Sequence, residues 1–157
     1  MPLLNYTTTV EASRTVMEIQ HILSSHGARA ILINYGDQGQ VESLSFQVMT
    51  PAGLVGFRLP INPEAIMKVL TRQRVRGRAT EKPQAVRIAW RIVKDWVEAQ
   101  MALLETEMVS LDQLFLPYAV TPQGNTFYEA LAARGFKMLG PGTEEEGEPT
   151  SGATSNG

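Results

Sequence analysis

The chain reads as an α+β domain, with a three- or four-stranded antiparallel sheet packed against one long central helix and shorter helices. Three observations predict this class. Three apolar, strand-like segments follow one another between residues 29 and 59 with only short, turn-rich connections. On either side of them apolar residues return at helical spacing. At 157 residues with 43% hydrophobic content, the chain is long enough to bury a single core. The expected division is one domain over residues 1–139 and a disordered acidic tail over 140–157, where glycine, proline, serine, threonine and glutamate replace all apolar periodicity.

Taken in order, Tyr6 to Val10 suggests a short strand, and Val16, Ile19, Ile22 and Leu23 mark one face of a helix over Ala12 to His26. Gly27 is placed to end that helix in a left-handed conformation. The three strands are expected at Arg29 to Tyr35, Val41 to Met49 and Leu54 to Leu59. In the second, Leu44, Phe46 and Val48 alternate with Ser43, Ser45 and Gln47, so that one face is buried. The turn-forming stretches at residues 36–40 and 50–53 make an antiparallel meander the natural connection.

Asn62-Pro63-Glu64 combines an N-cap, a proline at the first helical position and an early acid, predicting a helix to about Thr71. The long helix is expected to enter through Thr80 to Pro83 and run to about Met108. Ala89, Val93, Val97, Met101, Leu104 and Met108 form its apolar stripe, which Trp90, Ile92, Trp96 and Leu103 widen. Such a helix is either central in the core or shared with another subunit. Ser110-Leu111-Asp112-Gln113 and Thr126-Phe127-Tyr128-Glu129 have the pattern of capping boxes opening two short helices, the second closed by Gly135.

Charge is unevenly spread. Nine of the 14 basic residues fall between Lys68 and Lys94, opposed there only by Glu81, while Glu144, Glu145, Glu146 and Glu148 lie in the tail. The net charge of -2 therefore understates how basic the domain is. Arg72, Arg74, Arg76 and Arg78 alternate, and an extended backbone would set them on one side at a spacing of about 6.6 Å, close to the phosphate repeat of a nucleic-acid strand. The guanidinium fork suits phosphate. Arg87, Arg91 and Lys94 share a helical stripe that would extend the track, with a solvated loop or an ion-pair network as the competing account. The basic residues also lie toward the N-terminal half of the long helix, against the preference of its dipole, which a bound polyanion or a partner subunit would explain.

Other features point more to structure than to chemistry. Trp90 and Trp96 offer stacking surfaces for bases, as do Tyr35, Phe46 and Phe57, but core packing accounts for them better. Glu18-Ile19-Gln20-His21 has metal-ligand spacing in a single copy, and the chain's only other histidine is His26, so neither a metal nor a cofactor is expected. Glu105, Glu107 and Asp112 lack a partner base. With no nucleotide-binding loop and no cysteine, nothing amounts to a catalytic signature. No run approaches the roughly 18 apolar residues of a membrane span, and residues 1–6 lack the pattern of a signal peptide, so a cytoplasmic protein without membrane contact is expected.

The run from Arg87 to Met108, continued by Leu114-Phe115-Leu116-Pro117-Tyr118, resembles segments of small uncharacterised proteins of phages and other mobile elements. That resemblance implies an accessory role on nucleic acid or in host interaction. The expected function is non-enzymatic binding of nucleic acid, single-stranded DNA or RNA in preference, through Arg72, Arg74, Arg76 and Arg78 with Arg87, Arg91 and Lys94. The alternative is a binding or inhibitor module, homo-oligomeric through the long helix, that holds a small phosphorylated ligand or an acidic protein.

Overall fold

The computed structural model describes residues 2–77 and 81–142. Helix α1 (Ala12–Ser25) leads into a meander of β1 (Ala28–Tyr35), β2 (Val41–Thr50) and β3 (Gly53–Arg58), followed by α2 (Pro63–Arg72), the long α3 (Lys82–Glu105), α4 (Leu111–Phe115) with one 3-10 turn (Leu116–Tyr118), and α5 (Phe127–Ala133). The sheet has the order β1-β2-β3 and is antiparallel throughout. This is the expected α+β class with three strands. The acidic glutamates of the tail lie outside the described residues.

Alternation in β2 divides the sheet into two faces. Leu44, Phe46 and Val48 are buried and join Phe57 of β3 beneath the helices, while Ser43, Ser45, Gln47 and Met49 face away. Phe46 stacks on Phe57 with ring centroids 5.4 Å apart and meets Phe115 edge-on at 5.4 Å. Trp90, Val93 and Val97 of α3 and Val16, Ile19 and Leu23 of α1 complete the same core. Both tryptophans are structural: Trp90 is fully buried, and Trp96 packs edge-on against Phe115 and Tyr118.

Helix α3 is central. Every residue from 84 to 97 is at least partly buried, because α1 and α2 pack along it and the core lies beneath it. The chain's own elements thus cover the apolar surface of α3 from Gln84 to Val97. The helix stops at Glu105, one turn before Met108, which is 70% exposed.

The caps form as their sequences dictate. The Asn62 side chain accepts from the Ala65 amide, and both Ser110 and Thr126 make reciprocal capping boxes with Gln113 and Glu129. The strand expected at Tyr6 to Val10 is absent. Its first residues turn instead, with Tyr6 N–H bonded to the Leu3 carbonyl and Thr8 N–H to that of Asn5. The carbonyls of Tyr6 and Thr8 accept from the Gln84 side-chain amide, and Asn5 donates to Asp95 at 2.8 Å. The Gln84 side chain thus takes two carbonyls that a strand would offer to a neighbour.

Two measurements check this architecture. Phe46→Ala should cost about 3 to 5 kcal/mol in denaturant unfolding, whereas Met49→Ala, on the open face of the same strand, should stay within about 0.5 kcal/mol. The Thr126 backbone N–H, and then its hydroxyl, hold the Glu129 carboxylate below the usual glutamate range. A lowered value on folding means that the cap is intact at higher pH and lost as pH falls through the folded-state value. Amide signals at the start of α5 should therefore titrate below the ordinary glutamate range, and Glu129→Gln should abolish that titration while keeping the cap.

Candidate nucleic-acid interface

The nine cations between Lys68 and Lys94 divide into two groups by what they touch. Four of them, along α3 and at its start, are ion-paired. Lys82 lies 3.4 Å from Glu64, Arg87 lies 3.2 Å from Glu11, and Arg91 lies 2.7 Å from Glu18. Lys94 lies 2.7 Å from Glu98 and 3.9 Å from Glu18. Arg87, Arg91 and Lys94 are therefore turned toward α1, with side-chain exposures of only 29%, 19% and 15%. Their position in the N-terminal half of α3 is explained by the carboxylates of the neighbouring helix, without an external anion or a second subunit.

This row has a direction. Glu11 meets Arg87, Glu18 meets Arg91 and Lys94, and His26 approaches Glu105 at 3.4 Å, so α1 and α3 run parallel. A signal for it lay in the spacing: Glu11 and Glu18 are seven apart, as are Arg87 and Lys94, and seven residues return nearly to the same helical face. Arg87 is further fixed by its Nη1 donating to Gln84 at 3.2 Å.

The second group is different. Lys68, Arg72, Arg74 and Arg76 are exposed and form no ion pair among the described residues. Arg78 lies outside the described residues. Helix α2 presents Leu70, fully buried, with Ile66, Met67 and Val69 toward the core side, which leaves Glu64, Lys68, Thr71 and Arg72 outward. Lys68 and Arg72 are one turn apart on that outer surface.

The extended backbone expected through the arginines is not what forms. Arg72 is the last residue of α2, and Arg74 has φ of 58°, in the left-handed region. The Val75 N–H bonds to the Leu70 carbonyl at 3.0 Å and the Arg74 N–H to that of Thr71 at 3.0 Å. This is a Schellman cap, with half-buried Val75 following buried Leu70 as its apolar pair. The helix simply continues further than alternation suggested, and its unpaired carbonyls then recruit the next amides. The regular spacing of about 6.6 Å, and with it the footprint argument for a single strand, does not apply.

Arg74 occupies the cap position where glycine is usual, because a side chain there crowds its own backbone. Arg72, in the last turn, also complements the helix dipole. The three cavities with defined linings, of about 750, 670 and 620 Å³, include none of Lys68, Arg72, Arg74 or Arg76. These cations are exposed at a helix end, outside those cavities.

Of the remaining candidates, Glu18 and His21 line the third cavity together, beside Arg14, Lys94 and Glu98. Glu18 is bound to Arg91, His21 is exposed, and no group of three or more potential ligands capable of holding a metal occurs among the described residues. Neither Glu105 nor Asp112 lines any of the three cavities. No helix among the described residues is long and apolar enough to cross a membrane. Compared with protein-family models, curated proteins and solved structures, the chain matches none.

The paired row predicts unequal costs. Glu18→Ala strips Arg91 and Lys94 of a shared partner and should lower unfolding stability by about 1 to 2 kcal/mol. Glu98→Ala removes a pair whose acid is half-exposed, and should cost no more than about 0.5 kcal/mol. Reversal of that order would mean that the row between the helices does not hold them together.

Proposed function

We propose that this chain is a non-enzymatic nucleic-acid-binding protein whose contact surface is the end of α2 and the turn after it. Lys68, Arg72, Arg74 and Arg76 bind phosphates, and Arg78 extends the group. The observation that carries this reading is the division of the cations: those on α3 are neutralised within the fold, and those on α2 and its turn are not. Paired cations are compensated within the fold, whereas four exposed and unpaired ones add self-repulsion that an external polyanion would relieve.

Two further points support it. The cations are exposed at a helix end and line none of the three cavities, which suits an extended backbone of phosphates better than a small ligand needing an enclosing cavity. Arginine at position 74 keeps a left-handed backbone, costly for a residue with a side chain by about 1 kcal/mol, where glycine would serve the cap. A non-glycine residue held there is consistent with selection for its guanidinium.

The same residue provides a test that separates binding from folding. Arg74→Gly should leave stability unchanged or raise it by up to about 1 kcal/mol, yet weaken binding to single-stranded DNA, duplex DNA and RNA in a titration at two salt concentrations. Replacing Arg72, Arg74 and Arg76 together by glutamine should reduce the slope of log affinity against log salt by roughly 2 to 3. Unchanged salt dependence in that triple variant would refute the reading. Binding of acidic protein but not of any nucleic acid would transfer the surface to a different partner class.

A further inference from the structure

We propose that two copies of this chain pair through the outer edge of β1, joining their sheets into one continuous antiparallel sheet. The two edges of the three-stranded sheet are treated differently by the fold. Beyond β3, the segment after the 3-10 turn closes the edge: Ala119 forms a bridge with Phe57, and Val120 N–H donates to the Gly56 carbonyl at 2.8 Å. Beyond β1 there is no such strap, and among the described residues nothing pairs with its outer backbone groups. An open edge is a row of unsatisfied donors and acceptors ready to accept another strand.

Proteins that keep an edge solitary usually guard it with proline, lysine, an inward-pointing charge, a β-bulge or a very short strand. β1 is eight residues long and reads Ala28-Arg29-Ala30-Ile31-Leu32-Ile33-Asn34-Tyr35, with its one charge near the end. The register shifts fall between Ala28 and Ala30 and between Asn34 and Tyr35, leaving Ala30 to Asn34 in regular pairing with β2. Within that regular stretch the side chains are apolar on both faces. Ile31 and Ile33 lie on the core side and are only half-buried, and Leu32 on the open side is 60% exposed.

The occupant is a second copy because the strand is complementary to itself. An antiparallel pair about a twofold axis at Leu32 sets Leu32 against Leu32 of the other copy, Ile31 against Ile33 and Ala30 against Asn34. The core sides of both sheets then face the same way, so the half-exposed isoleucines of each copy extend the apolar layer of the other. The arrangement uses a different surface from the arginines of α2 and does not depend on what they bind.

The absence of native cysteine allows a direct test. Sedimentation of the full chain should give twice the 17.3 kDa chain mass. Leu32→Lys opposes two like charges at the axis and should sediment as a single chain with an unchanged circular dichroism spectrum. Leu32→Cys should form a covalent dimer on mild oxidation, whereas Leu54→Cys, on the same open face and 55% exposed but on β3, should not. A wild-type chain that is monomeric at every concentration, a Leu32→Lys variant that stays dimeric, or equal cross-linking at positions 32 and 54 would each overturn the proposal.

Discussion

The burial of α3 is the constraint on which the other elements depend. Its sequence sets apolar residues around most of the helix and cations along one side, so no single surface can satisfy it. The sheet-bearing core takes Trp90, Val93 and Val97, α2 covers another side through Leu70, and α1 brings carboxylates to the cations. Even the N-terminal segment is held by α3, through Gln84 and Asp95. A 24-residue helix with this composition is an interior axis, and the rest of the chain is wrapped to match its changing polarity.

That arrangement gives the two groups of cations different physical meaning. Arg87, Arg91 and Lys94 of α3 are partly removed from water, and each is compensated by an acid, since an uncompensated charge in that position would be strongly unfavourable. Those of α2 and its turn remain in water, where solvation makes them tolerable and leaves their hydrogen-bonding capacity available. A cluster that is uniform in sequence is thus split by solvation into scaffold and surface.

Elements with local causes were legible in the sequence. The capping boxes at Ser110 and Thr126, the Asn62-Pro63 start of α2, the left-handed Gly27 and the alternation of β2 depend on residues within a few positions of one another, and each forms as read. The features that differed have distant causes. Tyr6 to Val10 has strand composition, but its fate is decided by Gln84, about 76 residues away. The arginines alternate as a strand would, yet they follow a helix whose last carbonyls capture the Arg74 and Val75 amides. The pairing of Arg87, Arg91 and Lys94 required knowing which helix lies beside them, although the common spacing of seven hinted at α1. No local pattern distinguishes an open edge strand from a covered one, because the difference is made by Ala119 and Val120.

The two tryptophans sit in unlike surroundings. The Trp90 ring is wholly enclosed and its Nε1–H has no hydrogen-bond partner among the described residues, while Trp96 is half-buried between Phe115 and Tyr118. An indole whose N–H meets neither water nor an acceptor emits at shorter wavelength than one in contact with solvent. The chain therefore carries a pair of intrinsic fluorophores on one helix. One reports on the integrity of the interior, and the other on the seam where α4 and the 3-10 turn close over it.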